Sequence, residues 1–216
     1  MEIIKLLEPD CPFNDILMDG QFYFGNSKGA KVLGKILFIT GGVRSGKSAF
    51  AEKYAAKLFK DYQKGLYYIA SGVPFDDEMK KRISRHQEDR KQSNLPWHTL
   101  EIADELPSIT FEKHDIVLWD CITTWLNNVL YKTEHLQDSR CQQIQSYLER
   151  FKKTIVQWKQ DGAVLLLVSN EVLDEPSSSF EEVHLYRELI GTLHQWIVSI
   201  CDEAYELDYG INVRRK

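Results

Sequence analysis

The sequence predicts an α/β fold: a mainly parallel sheet with helices on both faces. Three observations carry that prediction. Several short segments are continuously apolar and rich in β-branched residues, the pattern of strands buried on both sides. Longer segments with apolar residues at helical spacing alternate with them. The first strand-like segment also runs through a glycine-rich turn directly into a helix-like one.

Residues 35–40 (KILFIT), bounded by Gly34 and Gly41, form the first predicted strand, and residues 48–59 the helix after it. Leu66–Ala70 (LYYIA) reads as the second strand. The charged stretch 76–92 follows as a helix, opened by Asp76 or Asp77. Residues 97–100 suggest a short strand and Ile116–Asp120 (IVLWD) a buried one. Helices are expected over 123–131 and 139–159, then a strand over 163–169 (AVLLLVS). Glu181–Ile200 carries a Leu/Ile/Trp/Val helix face, and residues 204–207 open a final short strand. Residues 1–34 read differently, because Pro9, Pro12, Gly20, Gly25, Gly29 and Gly34 interrupt short apolar pieces. An extended arm and a small hairpin both suit them. The expected organisation is an N-terminal extension of unknown role over residues 1–34 and one domain over 35–216.

The 216 residues are 43% apolar and 27% charged, a globular composition. A formal charge of −5 argues against a broad surface for nucleic acid or anionic membrane. The longest apolar run, residues 163–168, is far short of the ~20 residues that span a bilayer. The acidic start, with Glu2, Glu8, Asp10, Asp15 and Asp19, is unlike a secretory leader. Cys11, Cys121, Cys141 and Cys201 are scattered without a C-x-x-C pair, so neither a disulfide framework nor a structural zinc site is expected. These readings predict a cytoplasmic location.

Gly41, Gly42, Val43, Arg44, Ser45, Gly46, Lys47 and Ser48 satisfy G-x-x-x-x-G-K-[ST] between a predicted strand and helix. The glycines let consecutive N–H groups face one anion, and the helix N-terminus adds its partial positive charge. Lys47 is expected to reach the β- and γ-phosphates and Ser48 to ligate Mg²⁺. The fold is thus expected to be of the P-loop NTPase type. Asp120, ending its strand, is the candidate for a second magnesium ligand. Capping of the next helix is its alternative role.

On the predicted helix 76–92, His86 and Arg90 lie four residues apart on one face, with Arg82 a turn earlier. Guanidinium groups beside an imidazole can hold phosphate oxygens while a ring nitrogen attacks phosphorus. The neighbouring cations favour the neutral imidazole that this requires. An ordinary solvated helix face is the competing reading. His98, His114, His135, His184 and His194 lack metal-ligand spacing.

The motifs taken together carry a resemblance. They are ITGGVRSGKSAFAE (residues 39–52), YIASG (68–72), DDEMKKRISRHQEDR (76–90), WHTLE (97–101), DCITTWLNN (120–128), VSNEV (168–172) and RELIGTLHQ (187–195). The chain resembles the bifunctional adenosylcobinamide kinase / adenosylcobinamide-phosphate guanylyltransferase family over about residues 35–216. A P-loop alone is widely shared; its combination with the His86 and Asp120 motifs is specific.

The resemblance implies two reactions, with Mg²⁺ as cofactor and GTP and ATP as substrates. A nucleoside triphosphate phosphorylates the aminopropanol hydroxyl of adenosylcobinamide. GTP then guanylylates a histidine, and the corrinoid phosphate takes the GMP. By this resemblance the nucleophile is His86, supported by Arg90 and Lys47. The implied nucleotide contacts are the P-loop, Ser71, Gly72, Gln87, Arg90, Glu101 and Asp120. Glu101 is implied at the guanine or ribose, with a plain surface acid as its alternative. Asn170 and Glu171 match the family's N-E-V, and Asn170 also suits a loop cap. A homotrimer is implied as well. The family usually continues G-x-G-I-V-P after N-E-V, whereas this chain reads Leu173-Asp174-Glu175-Pro176-Ser177-Ser178-Ser179. The rewritten segment leaves open a nucleotide-binding paralogue with one activity or a regulatory role.

Overall fold

The computed structural model describes residues 33–73, 77–171 and 181–216; the side chains of Glu78, Met79, Arg82, His86, Asp89 and Glu181 fall outside that description. The expected N-terminal extension (to residue 32), Asp76 and the rewritten segment 173–179 lie outside the described residues.

Among the described residues seven strands form one sheet: β1 (Lys35–Gly41), β2 (Leu66–Ala70), β3 (Trp97–Glu101), β4 (Ile116–Asp120), β5 (Val164–Val168), β6 (Glu203–Asp208) and β7 (Ile211–Arg214). Their spatial order is β3-β2-β4-β5-β1-β6-β7, and every pairing is parallel except β6 with β7. Helices α1 (Lys47–Tyr62), α2 (Asp77–Gln92), α3 (Ile122–Thr133), α4 (Arg140–Asp161) and α5 (Glu181–Ile200) connect them, with a 3-10 segment, Glu134–Ser139, between α3 and α4.

The two-residue strand period distributes each apolar strand between two cores. Ile36, Phe38, Val117, Trp119, Leu165 and Leu167 join the core under α3, α4 and α5. Leu37, Ile39, Ile116, Leu118, Val164, Leu166 and Val168 point the other way and meet Ala51 and Ala55 of α1. Strand β5, VLLLV, is buried at every position because it is covered on both faces. Trp125 of α3 stacks on Phe151 of α4 with centroids 4.8 Å apart, and Trp119 packs against both. Each such ring contributes about 1.5–3 kcal/mol through burial.

The expected α/β, P-loop NTPase-type architecture is thus present, with helices on both faces. The sequence predicts one final short strand, whereas the chain makes a hairpin of β6 and β7. Strand β7 escaped notice because INVR is exposed at every position and so shows no buried alternation. Among the described residues no helix is long and apolar enough to cross a membrane.

Candidate nucleotide site

The parallel strands point their C-terminal ends the same way, and the site residues cluster where those ends meet the connections, as open α/β sheets dictate. The phosphate loop leaves β1 at Gly41. A Cβ there would lie 2.2 Å from the carbonyl oxygen of Leu207 on the neighbouring strand, so the position excludes side chains. Gly46, the N-cap of α1, has φ +91°, a left-handed conformation that glycine adopts without strain. Gly42, Val43 and Arg44 form the exposed crest of the loop. Lys47 is buried and folds its ammonium back to donate to the Gly42 carbonyl at 2.9 Å. Among the described residues Ser45 Oγ is buried without a hydrogen-bond partner, and Ser48 is half-buried one residue into α1.

Across the sheet, Asp120 ends β4 and its Oδ2 accepts a hydrogen bond from the Tyr68 hydroxyl at 3.1 Å. Burial, and then the Asp120 carboxylate, push the Tyr68 phenol well above its usual range, so it stays a proton donor. Helix α3 begins with Cys121 as N-cap, not with Asp120, so the capping alternative does not describe this carboxylate. Burial also raises the Cys121 thiol, with the Asp120 charge adding to it, which keeps the sulfur protonated.

Arg90 lies over the opposite side of this pair. Its guanidinium carbon is 3.7 Å from the Tyr68 ring centroid, and the residue is 6% exposed. A desolvated cation–π contact of this kind is worth about 2 kcal/mol. Arg90 Nη1 is buried with no hydrogen-bond partner among the described residues, a donor suited to an anion. Helix α2, which carries His86 one turn before Arg90, is thereby joined through Tyr68 to Asp120. The His86 side chain itself lies outside the described residues.

Gln87 donates to Glu101 Oε1 at 3.4 Å, and the two share a cavity of about 340 Å³ with Arg90, Lys91, Trp97 and Thr99. That volume falls in the range of small-molecule pockets. Ser71 is fully buried, and its hydroxyl accepts from Trp119 Nε1 at 2.7 Å. Gly72 is half-buried, its position facing Ile83 of α2. Asn170 donates from both its backbone and its side chain to Thr123 Oγ1, at 3.3 and 3.0 Å, and the Glu171 N–H donates to the Gly41 carbonyl at 2.8 Å. These bonds tie the end of β5 to both α3 and the phosphate loop.

Tyr68 was not among the residues singled out from the sequence. Its one signal was a phenol inside a buried strand, since a buried Tyr hydroxyl needs a polar partner. Asn128 was missed similarly; its side-chain amide donates to the Ser71 and Ala103 carbonyls, both at 2.9 Å.

A family model described as cobinamide kinase / cobinamide phosphate guanyltransferase matches residues 37–214. The bifunctional adenosylcobalamin biosynthesis protein CobU of Escherichia coli (strain K12) is 29% identical over 189 residues, covering 84% of this chain and 99% of that protein. The protein of the same name from Salmonella typhimurium is 30% identical over the same shares. The bifunctional adenosylcobalamin biosynthesis protein CobP of Pseudomonas aeruginosa is 33% identical, covering 77% of this chain and 88% of that protein.

Proposed function

The chain belongs to the cobinamide kinase / cobinamide phosphate guanyltransferase family, and from that premise we propose how its residues divide two reactions. The protein is an adenosylcobinamide kinase and adenosylcobinamide-phosphate guanylyltransferase of adenosylcobalamin biosynthesis. In the kinase step the corrinoid hydroxyl attacks the γ-phosphorus of a nucleoside triphosphate, ATP or GTP, and the nucleoside diphosphate leaves. Lys47 and the loop N–H groups hold the phosphates and stabilise charge on the transferred group.

In the transferase step a neutral nitrogen of His86 attacks the α-phosphorus of GTP. A phosphorus–nitrogen bond forms, the bond to the bridging oxygen breaks, and pyrophosphate departs. The phosphate of adenosylcobinamide phosphate then attacks the same phosphorus, and the imidazole leaves with GMP transferred. Arg90 neutralises the oxygens on that phosphorus, while Gln87 and Glu101 meet guanine or ribose. Ser71 and Gly72 set the backbone between β2 and α2 beneath the nucleotide.

The donor set suits magnesium, since Ser48 and Asp120 offer hard oxygens. Among the described residues no group of three or more His, Cys, Asp or Glu could hold a metal alone. An ion here would share its coordination with the triphosphate, the mode Mg²⁺ favours. Bound there, it would neutralise charge on the phosphates. A homotrimer working in the cytoplasm completes the proposal.

The observation that carries the histidine assignment is the Arg90–Tyr68–Asp120 stack, which couples the His86 helix to the acid at the end of β4. The test is incubation with Mg²⁺ and α-labelled GTP followed by denaturing electrophoresis. Wild type should retain acid-labile label and His86→Ala none, while His86→Ala keeps most of the kinase rate. Lys47→Ala should lose both reactions by at least ~100-fold, the scale of removing one charge-stabilising group. Full GMP transfer by His86→Ala would overturn the assignment.

A further inference from the structure

The turn between β6 and β7 is fastened to the phosphate loop. The Gly210 N–H donates to the Ser45 carbonyl at 3.0 Å, and a Cβ on Gly46 would sit 3.5 Å from Gly210 Cα. Immediately before Gly210, Tyr209 holds φ +46°, in the left-handed region that bulky side chains seldom occupy. The residue is 92% exposed. Neither packing nor backbone preference accounts for an aromatic residue at this position. What the arrangement does provide is an exposed aromatic side chain on a turn whose next residue is bonded to the phosphate loop at Ser45.

We propose that Tyr209 is the stacking platform for the purine of a nucleoside triphosphate whose phosphates sit in the loop. The inference rests on the nucleotide site argued above and concerns the triphosphate of the kinase step, whose base that reading leaves unplaced. A nucleoside must leave a phosphate-filled loop over one of its rims, and the β6–β7 turn forms the rim against Ser45 and Gly46. Glu101 stands on the far side of the sheet. Strand β3 is four intervals from β1 in the sheet order, roughly 19 Å at ~4.8 Å per interval, whereas β6 is β1's immediate neighbour. The Tyr209 platform is therefore distinct from the cavity beside Gln87 and Glu101. Stacking engages the π-face that every base has, so this platform accepts a purine without reading its edge.

The experiment measures equilibrium binding of Mg·ATP and, separately, of magnesium tripolyphosphate, which has the phosphates but no base. The variants are Tyr209→Asn, which tolerates the left-handed backbone but lacks the ring, and Tyr209→Phe, which keeps the ring. Tyr209→Asn should weaken Mg·ATP about tenfold, within the range for loss of one base–aromatic stack, and leave tripolyphosphate unchanged. Tyr209→Phe should bind both as wild type does. Unchanged Mg·ATP affinity in Tyr209→Asn overturns the inference. So does an equal loss for both ligands, which would make the turn a brace for the loop and not a base platform. Failure of wild type to bind either ligand would instead remove the nucleotide site itself, and this inference with it.

Discussion

His194 sits at 7% exposure with Nε2 2.7 Å from Ser169 Oγ and its ring 5.1 Å from Phe38. Burial disfavours the charged imidazole and lowers its pKa from the ordinary 6.5 to about 4. Between those values the unfolded chain binds a proton that the folded chain refuses. Stability from this residue is therefore complete above pH 6.5 and is lost as pH falls toward 4, by at most about 1.4 kcal/mol per pH unit. Urea midpoints measured across that window should fall with pH in wild type and fall less steeply in His194→Gln. Parallel slopes in the two proteins would refute this account. The location makes the effect consequential, because the Ser169 N–H donates to Ile39 just before the phosphate loop. From the sequence His194 could be excluded as a metal ligand by spacing alone. Its partner lies 25 residues away, so nothing local announced a buried Ser–His pair.

Elements, more than single residues, assemble the proposed transferase half of the site. Helix α2 meets the sheet through Arg90 on Tyr68, and Tyr68 reaches across to Asp120 on β4. Tyr68→Phe keeps the ring beneath Arg90 and removes only the hydroxyl. It should cost about 1 kcal/mol or less of stability, the net worth of one hydrogen bond. GMP transfer should slow about tenfold, because Asp120 loses the donor that orients it. A rate equal to wild type would show that Asp120 needs no such support. The phosphate loop was readable because all its parts are contiguous and their geometry follows from residue type. So were β1, β4 and β5, whose apolar runs state their own burial. Tyr68 and Asn128 were not, since their partners come from strands and loops brought together only by folding. The β7 hairpin strand was hidden for the opposite reason: its exposed residues carry no burial pattern to read.

At the scale of the molecule, the proposed homotrimer predicts a light-scattering mass three times the 25.2 kDa of the chain; the mass of a single chain would refute it. The connection between β5 and α5 has both of its described flanks secured. Upstream, Asn170 is bonded to Thr123 and Glu171 to Gly41; downstream, Arg140 binds both oxygens of Glu182. These bonds are made by the flanks themselves and not by segment 173–179. Replacing it with the glycine-rich G-x-G-I-V-P pattern usual in the family should alter KM for the corrinoid and leave the melting temperature within a few degrees, the shift expected for less than ~1 kcal/mol.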